Sequence, residues 1–295
     1  MATTAGVSRS DEWSTPTFWR ELAPALRIED IDFLSSLQLF SVDDPTRERL
    51  QGLMRKEGYF QLPPVGWNLP LEEMVALVAK LDAQGIPVPF AFLYDEFWAL
   101  FIKLHQVIEP ILGPGYMRMP DFWVWFVDPR RDDSGWKPHR DKTQPTLRAD
   151  GSPTSLTVWL PLSDATTLNG CMYMVPADRD PTYNTPENGQ WQFAHQDIRA
   201  LPAEAGSILM WNQAVLHWGS HGSPRETRPR VSAAFEFQSA DVPPYNSPLM
   251  APNTVPGFAG RLALVGKQIL QYQHMYPLAP EMREIATRLK DSATL

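Results

Sequence analysis

The chain has 295 residues, 43% of them hydrophobic and 20% charged, an ordinary balance for a soluble globular protein with a sizeable core. A formal charge of -8 and a pI near 5.3 argue against nucleic acid or an anionic membrane as the main partner. One cysteine, Cys171 in an apolar stretch, excludes an internal disulfide framework and suits the reducing cytoplasm; no segment approaches the roughly twenty apolar residues of a membrane span, and Met1 to Trp13 shows no signal-peptide pattern.

Residues 1–116 read mainly as helices with one early strand. Asp44-Pro45 offers an N-cap and a first-turn proline, and Gly58 stands where that helix should stop. Glu57-Gly58-Tyr59-Phe60-Gln61-Leu62 then turns into a strand. Helices are predicted over Pro70 to Leu81 and Asp95 to Ile111, the second carrying His105, a lone histidine with a structural or solvated role. Residues 117–240 change to short apolar runs between Gly, Pro, Asn and Asp turns: Phe122 to Val127, Ser155 to Leu162, Gly170 to Val175, Ser207 to Trp211 and Arg230 to Gln238. Many short strands with irregular loops point to a double-stranded β-helix, or jelly roll. Residues 241–295 return to helix at Gly260 to Tyr272 and Pro280 to Leu289, and all three regions are expected to form one domain.

The strand region holds His139-Arg140-Asp141 and, much later, His217. Alternate residues of an extended chain point the same way, so a His-x-Asp pair can reach one ion. Two imidazoles and a carboxylate cover one face of a ferrous ion and leave positions for a chelating cosubstrate and dioxygen. The pattern occurs twice, however, the second copy being His195-Gln196-Asp197. In a jelly roll several strands separate the first two ligands from the third. Between Asp197 and His217 there is room for one strand, whereas Asp141 to His217 spans the clearest strand runs. The expected set is therefore His139, Asp141 and His217, with His221 the rival for the third place.

In Arg230 to Phe237, Val231, Ala233, Phe235 and Phe237 share one strand face, and Arg230, Ser232, Ala234 and Glu236 the other. An arginine among small residues of an apolar strand needs a partner, because burying it alone is costly. A dicarboxylate reaching from the metal would match its fork bidentately, with Ser232 adding a donor. Pairing with Glu236 is the structural alternative, and Arg228 is the competing arginine.

These residues resemble the non-haem iron, 2-oxoglutarate-dependent dioxygenases, and more narrowly the phytanoyl-CoA dioxygenase-like branch. The likeness covers about residues 45–240 and rests on an ordered series: Glu57-Gly58-Tyr59-Phe60, His139-Arg140-Asp141, Thr157 to Asp164, Asn169 to Pro176, Ala205 to Trp211, His217 and Arg230. Two departures stand out. Pro176-Ala177-Asp178-Arg179 replaces a common Pro-Gly-Ser-His, and Gly219 stands where a serine often contacts the cosubstrate. Trp159 matches a position near the cosubstrate in relatives, and a core role fits it equally.

The resemblance implies Fe(II), 2-oxoglutarate and O2 as cofactors. Oxidative decarboxylation to succinate and CO2 would drive attack on an unactivated C–H bond of a small-molecule substrate. A carboxylate at Asp141, where related halogenases carry a small residue, favours hydroxylation, desaturation or ring closure. Lys137, Arg140 and Lys142 could receive an anionic substrate group or be ordinary loop charges. Trp123, Trp125, Trp136, Trp211 and Trp218 could line a pocket or belong to the core. Loops 178–190 and 242–257 are candidate lids. A cupin-like hydrolase or isomerase using the same ligands, and a jelly-roll binding protein without catalysis, are the rival readings; neither needs the arginine.

Overall fold

The computed structural model of the protein describes residues 12–131 and 133–293. Of Met1 to Trp13, read above as without a signal-peptide pattern, the first eleven residues lie outside the described residues. The elements follow the expected order: helices α1 (Pro16–Leu22), α2 (Ile31–Ser35) and α3 (Asp44–Lys56), strand β1 (Tyr59–Leu62), then helices α4 (Leu71–Ala83), α5 (Asp95–Ile102) and α6 (His105–Leu112). Strands β2 (Met117–Val127), β3 (Ser155–Pro161), β4 (Met172–Val175), β5 (Arg199–Leu201), β6 (Ile208–Asn212), β7 (Leu216–Gly219) and β8 (Arg230–Gln238) come next, followed by α7 (Phe258–Gln271) and α8 (Pro280–Asp291).

Helix α3 begins one residue earlier than expected. The Asp43 carboxylate, not Asp44, accepts from the Thr46 amide at 2.9 Å, and Pro45 occupies the first turn, where an amide hydrogen is not needed. Gly58 ends the turn at φ +81°, and a side chain there would press into Val215. The helix expected over 95–111 is broken into α5 and α6. The Lys103 carbonyl accepts from the Phe40 amide at 2.7 Å, and its ammonium reaches the Gln38 carbonyl, so the chain is held out of helix by an earlier segment.

Two antiparallel sheets form the centre of the double-stranded β-helix. The larger has the order β1-β6-β3-β8-β2 and the smaller β5-β4-β7. Strands β5 and β7 were not expected; each is only three or four residues long, too short for a periodic signal. The outward face of the large sheet, with Val158, Ile208, Val231 and Phe235, packs on the helices and on the 3-10 turn Val88–Leu93 as the principal core. The inward face meets the small sheet in a second cluster that includes Trp159, Met172, Leu209, Trp211 and Cys171. Cys171 is fully buried, and burial pushes its thiol up, away from the reactive thiolate. Among the described residues no helix is long and apolar enough to cross a membrane.

Candidate metal and cosubstrate site

β8 has the face pattern expected of it: Val231, Ala233, Phe235 and Phe237 enter the helix-side core, which leaves Arg230, Ser232, Ala234 and Glu236 for the space between the sheets. That space is a cavity bordered by His139, Asp141, His217, Trp159, Trp211 and Arg230 among others.

His139 and His217 belong to different chain segments that meet edge to edge. Each backbone amide donates to the other's carbonyl at 3.0 Å, so a single antiparallel bridge sets the spacing of the two rings. The His139 segment is extended but carries no regular strand beyond this bridge. The expected alternation nevertheless holds. His139 and Asp141 point into the cavity, while Arg140 turns the other way, into an ion pair with Asp180 at 2.7 Å and bonds to Ala214 O, Asn188 O and Thr182 Oγ1. Arg140 is therefore not available to a substrate, and it pins the 178–190 loop to the small-sheet side.

The ligand atoms of His139, Asp141 and His217 all lie within 4.8 Å of one another, with Asp141 Oδ1 3.4 Å from Nε2 of each ring. Each ring's Nδ1 lies against a carbonyl two residues earlier in the chain, Lys137 O at 2.6 Å and Val215 O at 3.0 Å. With Nδ1–H donating there, both Nε2 lone pairs face the common point. Burial pushes the His217 imidazolium down to about 4, so this ring is neutral and ready to bind an ion near neutral pH. Asp141 is fixed through its other oxygen: Oδ2 accepts from Thr157 Oγ1 at 2.6 Å and Trp211 Nε1 at 2.8 Å. Burial opposes ionisation of Asp141, but His217, His139 and the Thr157 bond outweigh it and hold the carboxyl well below the usual range.

Arg230 is 1% exposed, and its Nε and Nη2 have no hydrogen-bond partner; the same is true of the Ser232 hydroxyl. Among the described residues the guanidinium makes one weak contact to Met172 Sδ at 4.0 Å and lies over the face of Trp159 at 5.6 Å. Pairing with Glu236 does not occur, because the two stand six residues apart on β8, about 20 Å at the rise of a strand; Glu236 is engaged by Lys142 Nζ at 2.8 Å. Burial pushes Arg230 down to about 10, which still leaves it cationic at neutral pH. Arg228 is excluded by position: its side chain is largely exposed and sits beside Glu226 and Asp164. A buried cation with two idle donor nitrogens, beside an idle hydroxyl, is a receptor for a carboxylate.

The remaining candidates lie elsewhere. His195 and Asp197 form an exposed-side 3-10 turn ahead of β5, and His221 is exposed, its backbone bridged to Ser134. His105 stacks on Tyr116, whose hydroxyl is 3.1 Å from Nδ1. Trp218 stacks on Tyr173 rather than lining the cavity, whereas Trp123, Trp125, Trp136 and Trp211 do line it. Trp159 is a core side chain, and its ring lies under Arg230. Gly219 has its explanation in Gly135, which lies against it: a Cβ at 219 would stand 2.7 Å from Gly135 Cα. Sequence patterns missed Thr157 and Trp211 as anchors of Asp141; the one available signal was a threonine on the same strand face as Trp159.

The model of the phytanoyl-CoA dioxygenase (PhyH) family matches residues 72–228. No curated protein matches the chain in sequence. Among solved structures the chain is similar to the non-heme alpha ketoglutarate dependent epimerase SnoN from nogalamycin biosynthesis, at 21% identity and a TM-score of 0.53, over 67% of this chain and 82% of that one. It is also similar to HygX from Streptomyces hygroscopicus, solved with nickel and 2-oxoglutarate bound, at 15% identity and a TM-score of 0.51, over 65% of this chain and 87% of that one. A third similarity is to the non-heme monooxygenase ThoJ in its nickel complex, at 14% identity and a TM-score of 0.53, over 76% and 97% of the two chains. At these identities the structural likeness is one of fold. The family model spans over half of the chain, and the protein therefore belongs to the phytanoyl-CoA dioxygenase (PhyH) family, an oxygenase-type enzyme dependent on Fe(II) and 2-oxoglutarate.

Proposed function

We propose that the protein is a dioxygenase that hydroxylates an unactivated C–H bond of a small molecule, with His139, Asp141 and His217 as the iron ligands and Arg230 and Ser232 as the anchor of 2-oxoglutarate. The observation that carries this reading is the partnerless buried guanidinium of Arg230 in the same cavity as the three converging ligand atoms. A hydrolase using the same three ligands has no need of it, and neither does a binding protein.

Iron with 2-oxoglutarate and O2 supplies the oxidant and releases succinate and CO2. The protein's own part is geometric. His139 and His217 present Nε2 because Lys137 O and Val215 O hold the opposite nitrogens. Asp141 offers Oδ1 alone, since Thr157 and Trp211 occupy Oδ2. Arg230 and Ser232 would take the far carboxylate, and Trp159 and Met172 exclude water from that end. The similarities to a monooxygenase and an epimerase support a reaction at carbon; the carboxylate at Asp141 supports oxygen insertion over halogen transfer.

Anaerobic titration with Fe(II) and then 2-oxoglutarate tests the reading. A weak visible charge-transfer band that needs both additions, and succinate formation that needs Fe(II), 2-oxoglutarate and O2, are the expected results. Metal binding without any effect of 2-oxoglutarate would overturn it.

A further inference from the structure

Strand β8 places a second polar device in the same cavity, on the same face as Arg230 and Ser232. Glu236 borders the cavity opposite Thr157 in the β3–β8 register, and Thr157 is the residue that holds Asp141. One Glu236 oxygen, Oε2, accepts from Lys142 Nζ at 2.8 Å; Oε1 accepts no hydrogen bond among the described residues. Both side chains are nearly buried, at 12% and 14% exposed. The neighbouring Asp121 is aimed inward where β2 loses register between Arg118 and Phe122, and Asn246 and Gln271 hold both its oxygens. Lys267 bonds Asn246, so each carboxylate of the cluster has an ammonium beside it or one step away. Trp123, Trp125, Trp136 and Tyr272 wall the cavity around this pair.

A buried ion pair is weak grounds for stability, because desolvation offsets its attraction. Here it sets Glu236 on the cavity wall, beside Trp123, Trp125, Trp136 and Tyr272, with Oε1 accepting no hydrogen bond among the described residues and its charge balanced by Lys142, which does not itself border the cavity. A pair of zero net charge favours neither a cationic nor an anionic guest. A hydroxyl group, which donates without carrying a charge, suits that oxygen.

We propose that Glu236 and Lys142 form the substrate-recognition dyad of this enzyme, selecting a neutral ring compound by a free hydroxyl. The proposal rests on the function proposed above. Glu236 accepts a hydrogen bond from the hydroxyl through Oε1, Lys142 holds the carboxylate in place through Oε2, and the aromatic wall takes the ring body.

The test uses full-length protein loaded anaerobically with Fe(II) and 2-oxoglutarate, and a library of hydroxylated ring compounds, each paired with its O-methyl ether. Quenching of tryptophan fluorescence reads binding. The expected result is at least one hydroxyl compound that binds about tenfold or more tightly than its ether, the scale of one hydrogen bond to a charged group. Glu236→Gln should shrink that preference. The double variant Lys142→Met/Glu236→Met, which leaves no lone buried charge, should abolish it while the protein stays folded. Equal binding of hydroxyl compounds and ethers, quenching by none of the library, or a preference that survives in the double variant overturns the proposal. The chelate band, recorded first in the same sample, reads the cosubstrate site separately: its absence sinks the proposed function, whereas a band without hydroxyl preference sinks the dyad alone.

Discussion

Arg230 and Ser232 stand two residues apart on one face of β8, both buried, and Nε and Nη2 of the arginine and the hydroxyl of the serine all lack a partner. Folded proteins rarely leave such groups idle, since each costs about 1–3 kcal/mol when buried unpaired. The Arg230→Met variant is expected to raise the half-saturating 2-oxoglutarate concentration by roughly 10- to 100-fold, the scale of one charge-assisted bond at about 1.5–3 kcal/mol. Its melting temperature without ligands should be unchanged or higher, because an uncompensated charge has gone. Anaerobic titration and thermal melts check both halves; unaltered 2-oxoglutarate binding would remove Arg230 from the site.

The hold on Asp141 predicts a different pattern. Thr157→Val and Trp211→Phe each remove one of the two donors to Oδ2, and each should weaken Fe(II) binding by roughly 10- to 100-fold, the usual effect of losing an outer partner of a metal ligand. Arg230→Met should leave Fe(II) affinity near that of the unaltered protein. Competition with a coloured iron chelator measures all three, and wild-type affinity in Thr157→Val would show that the bond to Asp141 is not needed.

Adding ligand should stabilise the fold by mass action. Fe(II) and 2-oxoglutarate together, at about 100 times their dissociation constants, are expected to contribute roughly 2.7 kcal/mol per site. Fe(II) alone should give part of the shift in melting temperature, 2-oxoglutarate should add to it only when Fe(II) is present, and both parts should vanish in Asp141→Ala. A shift that survives in that variant would place the ion elsewhere.

Gly219→Ser tests why the chain departs from its relatives. A Cβ at 219 would meet Gly135 Cα at 2.7 Å, with backbone rather than a flexible side chain in the way. A loss of roughly 1–3 kcal/mol is expected in denaturant unfolding. Gly52→Ala is the control: nothing lies within 4 Å of a Cβ there, the position is inside helix α3, and a gain of about 0.5–1 kcal/mol is expected. Equal effects of the two would mean that the contact with Gly135 relaxes freely.

Asp180→Asn removes the partner of a guanidinium that is 1% exposed. Breaking such a pair typically costs about 3–5 kcal/mol. The loop 178–190 should then be cut faster by a protease, as its bonds to Arg140 loosen. Unchanged cleavage would free that loop from dependence on Arg140.

Alternation alone determined which residues of β8 face the cavity, because a strand's period of two admits only one assignment once the apolar set is seen. Likewise, the number of strands needed between ligands singled out His139 and Asp141 over the repeated motif at His195, a matter of chain length and strand size. Other decisions belonged to the folded chain. Strands β5 and β7 are too short to announce themselves, and the helix broken at Lys103 yields to the amide of Phe40, sixty-odd residues away. The orientation of Asp141 depends on Thr157 and Trp211, and the solitude of Arg230 depends on no carboxylate of the chain being folded against it. Such relations join residues far apart in sequence through the two sheets, and no local pattern of side chains encodes which of several possible partners a buried charge will meet.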